Sequence, residues 1–283
     1  MFLGRGKDLR GDIQWGGRQR SYRLHLPPGA DGRPLPLVVV LHGGGGDMTA
    51  AARQTRFDAE ADRAGFIVVY PNGSGLLPDR LLVWNAGTCC GYAVKHDVDD
   101  VGFIRALVGE LKARHAIDAT RIYATGFSNG GMMSYRLACE VSELFAAIAP
   151  VAATQTLHGS MPSHPVSILH IHGSADENVP LRGGLGRKSL DEDSSRPPVS
   201  QSIRFWVERN GTVETPATSQ HRGIRREVYT GGREGSEVEF WLIDGGGHAW
   251  PGGDRLMNWL DAPSKELDAT AAIWAFFAAH SKA

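Results

Sequence analysis

The chain has 283 residues, with 30 basic and 31 acidic side chains, a net charge of −1 and a hydrophobic fraction of 42%. That is the make-up of an ordinary soluble globular protein, without the basic run or basic-plus-aromatic patch that nucleic acid or an anionic membrane would require. No apolar run approaches the roughly 20 residues that cross a bilayer. The stretch Met1 to Asp8 lacks a signal-peptide apolar region, so the chain is expected to be cytoplasmic or to have lost a leader.

In chain order, Asp12 to Leu26 carries a Gly16-Gly17 turn and then alternating Tyr22, Leu24 and Leu26, which predicts an antiparallel hairpin at a sheet edge. Asp31 to Pro36 is turn chemistry. Leu37 to Leu41 is a continuous β-branched and apolar run, a strand covered on both faces, ending in His42 and four glycines. Thr49 to Ala64 reads as one helix stopped by Gly65. Phe66 to Tyr70 is the next buried strand, closed by Pro71-Asn72-Gly73. The spacing of Val101, Ile104, Leu107, Val108 and Leu111 predicts a helix over about 97–116. Short apolar strands follow at Ile122–Thr125, Ala146–Val151, Val166–Ile171 and Val238–Ile243. Val199 to Arg209 is expected to be helical, and Pro263-Ser264 to open a final helix.

Strands alternate with helices throughout, without internal repeat or linker. The expectation is therefore one α/β domain over residues 1–283, with a mostly parallel sheet covered on both faces. Asn178 to Pro198, rich in Gly, Ser, Asp and Pro, is a candidate active-site loop. Three cysteines, Cys89, Cys90 and Cys139, show no zinc-type spacing. They are either three thiols or a disulfide from one of the adjacent pair to Cys139.

The most informative stretch is Gly126-Phe127-Ser128-Asn129-Gly130, between a strand and a helix. A G-x-S-x-G turn there holds a serine in a strained conformation with its hydroxyl exposed, and the glycines let strand and helix pass closely. An acid and then a histidine should follow, each beyond the end of a later strand. Asp176 follows the Val166–Ile171 strand, and His248 follows the Val238–Ile243 strand through three glycines. In this arrangement His248 is the general base for Ser128, and Asp176 holds the imidazole tautomer. The backbone amides of Asn129 and of one residue in the glycine run, Gly44, would bind an oxyanion. Glu177 is an alternative acid. His170, His172, Asp176 and Glu177 also resemble metal ligands, against the simpler reading of core histidines bonded to backbone. Gly186 to Ser189 echoes a phosphate loop, but the lysine is out of place and no strand precedes it. No metal and no cofactor are expected.

Seven ordered motifs carry a family resemblance: L-H-G-G-G-G-D from Leu41, V-V-Y-P-N-G from Val68, W-N-A-G-T-C-C-G from Trp84, V-D-D-V-G-F-I from Val98, G-F-S-N-G-G-M-M from Gly126, H-G-S-A-D from His172 and G-G-G-H-A-W-P-G from Gly245. Over roughly residues 20–280 the chain resembles the polyhydroxybutyrate-depolymerase-type esterases, a family that includes feruloyl esterases of the first carbohydrate-esterase family. The resemblance implies an α/β-hydrolase fold and a metal-free carboxylic ester hydrolase, often exported, with its triad on Ser128, Asp176 and His248. It departs from the family at Thr212 and Gly232, where many relatives carry cysteines taken to be a bonded pair; this weakens the inference of an extracellular or periplasmic location. Trp84 and Trp250 flank the motifs and would either wall a substrate site or pack in the core.

The expected activity is acyl-enzyme hydrolysis of small or oligosaccharide-linked esters, feruloyl or acetyl first and hydroxyalkanoate polymer less so. A prolyl-oligopeptidase-like peptidase would need a propeller or large cap, and a catalytically silent binding fold would not need an intact triad.

Overall fold

The computed structural model describes residues 6–30, 32–157, 159–188, 195–256 and 260–282. Residues 1–5, Asp31 of the expected turn, and 189–194 of the candidate loop lie outside the described residues.

The chain begins as a hairpin, β1 (Lys7–Trp15) against β2 (Arg18–Leu26), turning at Gly16 and Gly17 with φ of 57° and 71°. Both turn residues need positive φ, which glycine adopts without a Cβ clash. The hairpin edges a ten-stranded sheet ordered β1-β2-β4-β3-β5-β6-β7-β10-β9-β8. Here β3 is Leu35–Leu41, β4 Ile67–Pro71, β5 Ile117–Phe127, β6 Ala147–Val151, β7 Ser167–Gly173 and β10 Val238–Ile243. Strands β4, β3, β5, β6, β7 and β10 run parallel; β8 (Ala217–His221) and β9 (Ile224–Tyr229) add an antiparallel hairpin at the far edge.

The two-faced burial expected of β3 is explicit. Leu37, Val39 and Leu41 face one apolar cluster, with α4 (Asp100–Arg114), α5 (Asn129–Glu140) and α6 (Val199–Asn210); Val38 and Val40 face another, with α1 (Met48–Thr55), α2 (Phe57–Ala64) and α7 (Ala269–Ala278). Side chains alternate across a strand, so a run of apolar residues supplies both layers.

Several boundaries differ from the sequence reading. The expected Thr49–Ala64 helix is two helices, broken at Arg56, whose φ of 56° ends α1 and starts α2. The last helix begins at Ala269, capped by the Asp268 carboxylate on the Ala271 amide, rather than at Pro263. The β8–β9 hairpin had no apolar alternation to reveal it; every residue of β8 is exposed. Cys89 and Cys90, the latter preceding a short helix α3 (Gly91–Lys95), are bonded to each other. That pairing is neither of the two arrangements weighed from the sequence: Cys139 is a free thiol buried on α5, its pKa pushed up to about 12 by burial. A Cβ built on Gly232 would stand 2.9 Å from Thr212 Cγ2, so the two positions at which the family resemblance implies cysteines are neighbours.

Candidate active site

Ser128 joins β5 to α5 with φ 55° and ψ −119°, a conformation that L residues rarely adopt. The glycines explain how it is held. A Cβ on Gly126 would come within 2.5 Å of the Gly130 carbonyl carbon, and one on Gly130 within 2.3 Å of the Leu41 carbonyl oxygen. Strand and helix can cross at this distance only without side chains. The Ser128 amide is tied to the Val151 carbonyl on β6 at 2.9 Å.

The acid and the histidine are brought together by adjacent parallel strands. β7 and β10 end in register at Gly173 and Ile243, and the loops beyond them share backbone hydrogen bonds, Ser174 N–H to Ile243 O at 2.9 Å and Ala175 N–H to Gly246 O at 2.8 Å. A Cβ on Gly173 would lie 2.2 Å from the Gly246 oxygen, so this contact too depends on glycine. Asp176 Oδ2 then accepts from His248 Nδ1 at 2.8 Å, while Oδ1 accepts the Asn178 and Val179 amides at 2.9 and 2.8 Å. A carboxylate only accepts, so His248 carries a proton on Nδ1, and the lone pair of the neutral ring falls on Nε2. Burial alone would push the Asp176 carboxyl up; the His248 and His172 imidazoles and the Val179 amide outweigh it and hold it below the usual carboxylate range. Glu177, the alternative acid, turns instead to Arg187 and Lys188 at the surface.

Ser128 and His248 line one cavity of about 580 Å³, together with Gly43 to Gly46 and the apolar side chains of Leu81, Val83, Phe127, Met132 and Val179. Among the described residues the Ser128 hydroxyl makes no hydrogen bond. The glycine run is held by His42, which also lines the cavity. Its Nδ1 donates to the Gly43 carbonyl at 2.8 Å and its Nε2 accepts the Gly73 amide at 2.9 Å, which fixes a neutral ring; burial lowers its pKa to about 4. Within the run the Gly45 and Gly46 amides are bonded to Leu82 and Gly43 carbonyls, whereas those of Gly44 and Asn129 make no hydrogen bond among the described residues. These two backbones adjoin, since a Cβ on Gly44 would stand 3.7 Å from Asn129 Cβ. Asn129 begins α5, where free amides point along the helix axis toward the cavity side.

The aromatic wall is a correction. Trp84 is fully buried and donates from Nε1 to the His42 carbonyl at 3.0 Å, supporting the glycine run from within. Trp250 is also buried, edge-on to Phe57 and bonded to Thr270 Oγ1 at 3.0 Å. Neither lines the cavity, because an indole that large serves the core wherever its N–H finds a partner. His170 and His172 likewise face the core, bonded to Tyr135, to each other and to the Val179 carbonyl.

Sequence reasoning missed Asp261, whose Oδ2 accepts the His248 backbone amide at 2.8 Å and whose Oδ1 accepts Lys188 Nζ at 3.1 Å. Its one trace in the sequence is Gly247, where a Cβ would lie 2.5 Å from that carboxylate. The aliphatic cavity walls had no motif at all.

The family model for esterase PHB depolymerase matches residues 20–171. The chain is 33% identical over 255 residues to the esterase-named protein NocK of Nocardia uniformis subsp. tsuyamanensis, covering 84% of this chain and 72% of that one. It is 31% identical over 249 residues to feruloyl esterase B of Piromyces equi, covering 85% of this chain but only 44% of that protein. Feruloyl esterase C of Emericella nidulans is 30% identical over 232 residues, with 77% and 78% covered. The acetyl xylan esterase from Aspergillus awamori has a similar fold, with a TM-score of 0.61 at 15% identity over 85% of this chain and 94% of that one. The chain thus belongs to the PHB-depolymerase-type esterase family, carboxylic ester hydrolases built on the α/β-hydrolase fold.

Proposed function

We propose that the chain hydrolyses small or carbohydrate-linked carboxylic esters through an acyl-enzyme on Ser128. His248 Nε2 takes the serine proton as the hydroxyl attacks the ester carbonyl, then returns it to the leaving alcohol; Asp176 keeps the ring oriented and stabilises the imidazolium. The amides of Gly44 and Asn129 receive the oxyanion of the tetrahedral intermediate. Water repeats the sequence on the acyl-enzyme and frees the acid. No step in this account calls on a cofactor.

The observation that carries the reading is the 2.8 Å bond from His248 Nδ1 to Asp176, which leaves Nε2 basic in the cavity that Ser128 also lines. Feruloyl and acetyl groups are the first acyl candidates, since relatives are named for feruloyl and acetylxylan ester hydrolysis. The apolar cavity walls suit an aryl or alkyl acyl group, with the alcohol toward solvent. A panel of aryl acetate, methyl ferulate, acetylxylan and a peptide amide tests this. Turnover of the esters with none of the amide is expected. Preferential cleavage of the amide would replace the esterase reading with a peptidase one.

A further inference from the structure

Two fully buried histidines take no part in the chemistry just described, yet they connect its two halves. His170 and His172 stand on one face of β7, their rings nearly parallel with centroids 5.3 Å apart. The Val179 carbonyl only accepts, so the 2.9 Å contact at His172 Nε2 places the proton on that nitrogen. Nδ1 of His172 is then a lone pair, and His170 Nε2 donates to it at 3.1 Å. Nδ1 of His170 is a lone pair in turn and accepts the Tyr135 hydroxyl at 2.7 Å. Donation therefore runs one way, from Tyr135 to His170 to His172 to Val179. Burial keeps both rings neutral and the phenol protonated.

The two ends of this file are what give it meaning. Tyr135 belongs to α5, the helix that Ser128 starts. Val179 belongs to the turn whose amides hold Asp176 Oδ1. His172 Nε2 also lies 3.7 Å from Asp176 Oδ2, the oxygen that orients His248. An apolar trio would fill the same volume, but it could not fix the direction of the Val179 carbonyl.

We propose that Tyr135, His170 and His172 form a positioning chain that anchors the Asp176 turn to the nucleophile helix through the Val179 carbonyl. The inference rests on the serine-esterase reading for its catalytic consequence, but its structural consequence can be measured separately.

Two substitutions at one position separate the links. His172→Asn keeps an acceptor for His170 and removes the donor to Val179; His172→Gln keeps the donor and removes the acceptor. The Asn variant should lose about tenfold or more in kcat at nearly constant KM, as the acid shifts from its working geometry. Hydrogen exchange at the Asn178 and Val179 amides should rise about tenfold in the same variant, and the Gln variant should lose no more than about threefold in kcat. Equal losses in both variants that track melting temperature would reduce the file to packing and overturn the proposal, as would unchanged exchange in the Asn variant. Should His172→Asn fail to fold, Tyr135→Phe removes one oxygen at the far end; faster exchange at the same two amides is expected, and unchanged exchange overturns the proposal. Full ester turnover by Ser128→Ala would sink the esterase reading while leaving the exchange result standing, so the two failures are distinguishable.

Discussion

At the scale of single residues, the motifs that carried the family resemblance divide into groups that face the cavity and groups that shape it. Ser128, His248, His42 and the glycine run line the cavity, whereas Trp84, Asn72 and Gly73 lie behind it. Gly130 is among the most demanding of these positions, because a Cβ there meets two backbone oxygens, those of Leu41 and His42, at 2.3 and 2.5 Å. Gly130→Ala is expected to cost about 3 kcal/mol or to prevent folding, as overpacking against backbone leaves nothing to move; urea denaturation measures it, and a loss under 1 kcal/mol, roughly the floor for overpacking, would contradict the close crossing. Asp261 offers a contrast between contact types. Asp261→Ala removes the acceptor for the His248 amide and should lower kcat about tenfold by loosening the base. Lys188→Ala removes a half-exposed ion pair and should change kcat by less than about twofold. Steady-state kinetics on the two variants, with equal losses, would show that the salt link rather than the amide bond is what matters.

At the scale of elements, the V-D-D segment serves as a joint between the edge hairpin and the α4 layer. Asp99 caps α4 on the Gly102 amide and accepts the Trp15 indole at 2.9 Å. Asp100 is fully buried, paired with Arg20 of β2 at 2.6 Å and accepting the Asn85 amide at 2.7 Å. Arg20 also lies over the Phe103 ring at 4.0 Å. Arg20→Ala would strand a buried carboxylate and is expected to cost about 3–5 kcal/mol, against about 1 kcal/mol for Asp99→Ala, which loses a cap. Chemical denaturation of both variants checks the ranking; equal costs would mean that the buried pair contributes no more than a helix cap. Element by element, much was legible in the sequence: the buried strands stand out because unbroken Val, Ile and Leu supply two faces at once, and the Gly126–Gly130 turn because glycine is obligatory on both sides of Ser128. The break at Arg56 was not legible, because nothing in the residue's chemistry announces a positive φ. The exposed β8–β9 hairpin was not either, because a strand without a buried face has no alternation. The role of Trp84 was ambiguous for a related reason, since a large amphipathic ring suits a core and a binding wall equally.

At the scale of the whole molecule, histidine ionisation shapes the pH dependence of stability from both sides. His25 on β2 holds Asp8 with Nδ1 at 2.8 Å and Asp62 of α2 with Nε2 at 2.9 Å, so both ring nitrogens donate and the ring is an imidazolium. Burial alone would lower its pKa, but the two carboxylate bonds outweigh that and raise it. The folded state therefore holds this proton more tightly than the unfolded chain does. Its contribution is complete below the ordinary histidine value of about 6.5 and fades as pH rises through the folded value. His42, His170 and His172 act in the opposite sense: buried and neutral, with lowered pKa values, they make the fold lose stability as pH falls below about 6.5. Melting temperature should thus fall on the acid side, and His25→Gln should flatten only the decline above neutrality. A parallel shift of the whole curve in that variant would contradict the assignment.

These scales meet in the proposed role of Ser128 as the nucleophile, with His248 and Asp176 on the loops beyond two neighbouring strands. Its most direct test is covalent: treat the folded protein with a fluorophosphonate and map the adduct by peptide mass spectrometry. The account predicts one adduct, on Ser128, absent from Ser128→Ala and formed about 10⁴-fold more slowly in His248→Ala. An adduct on any other residue, or ester turnover undiminished in Ser128→Ala, would contradict it.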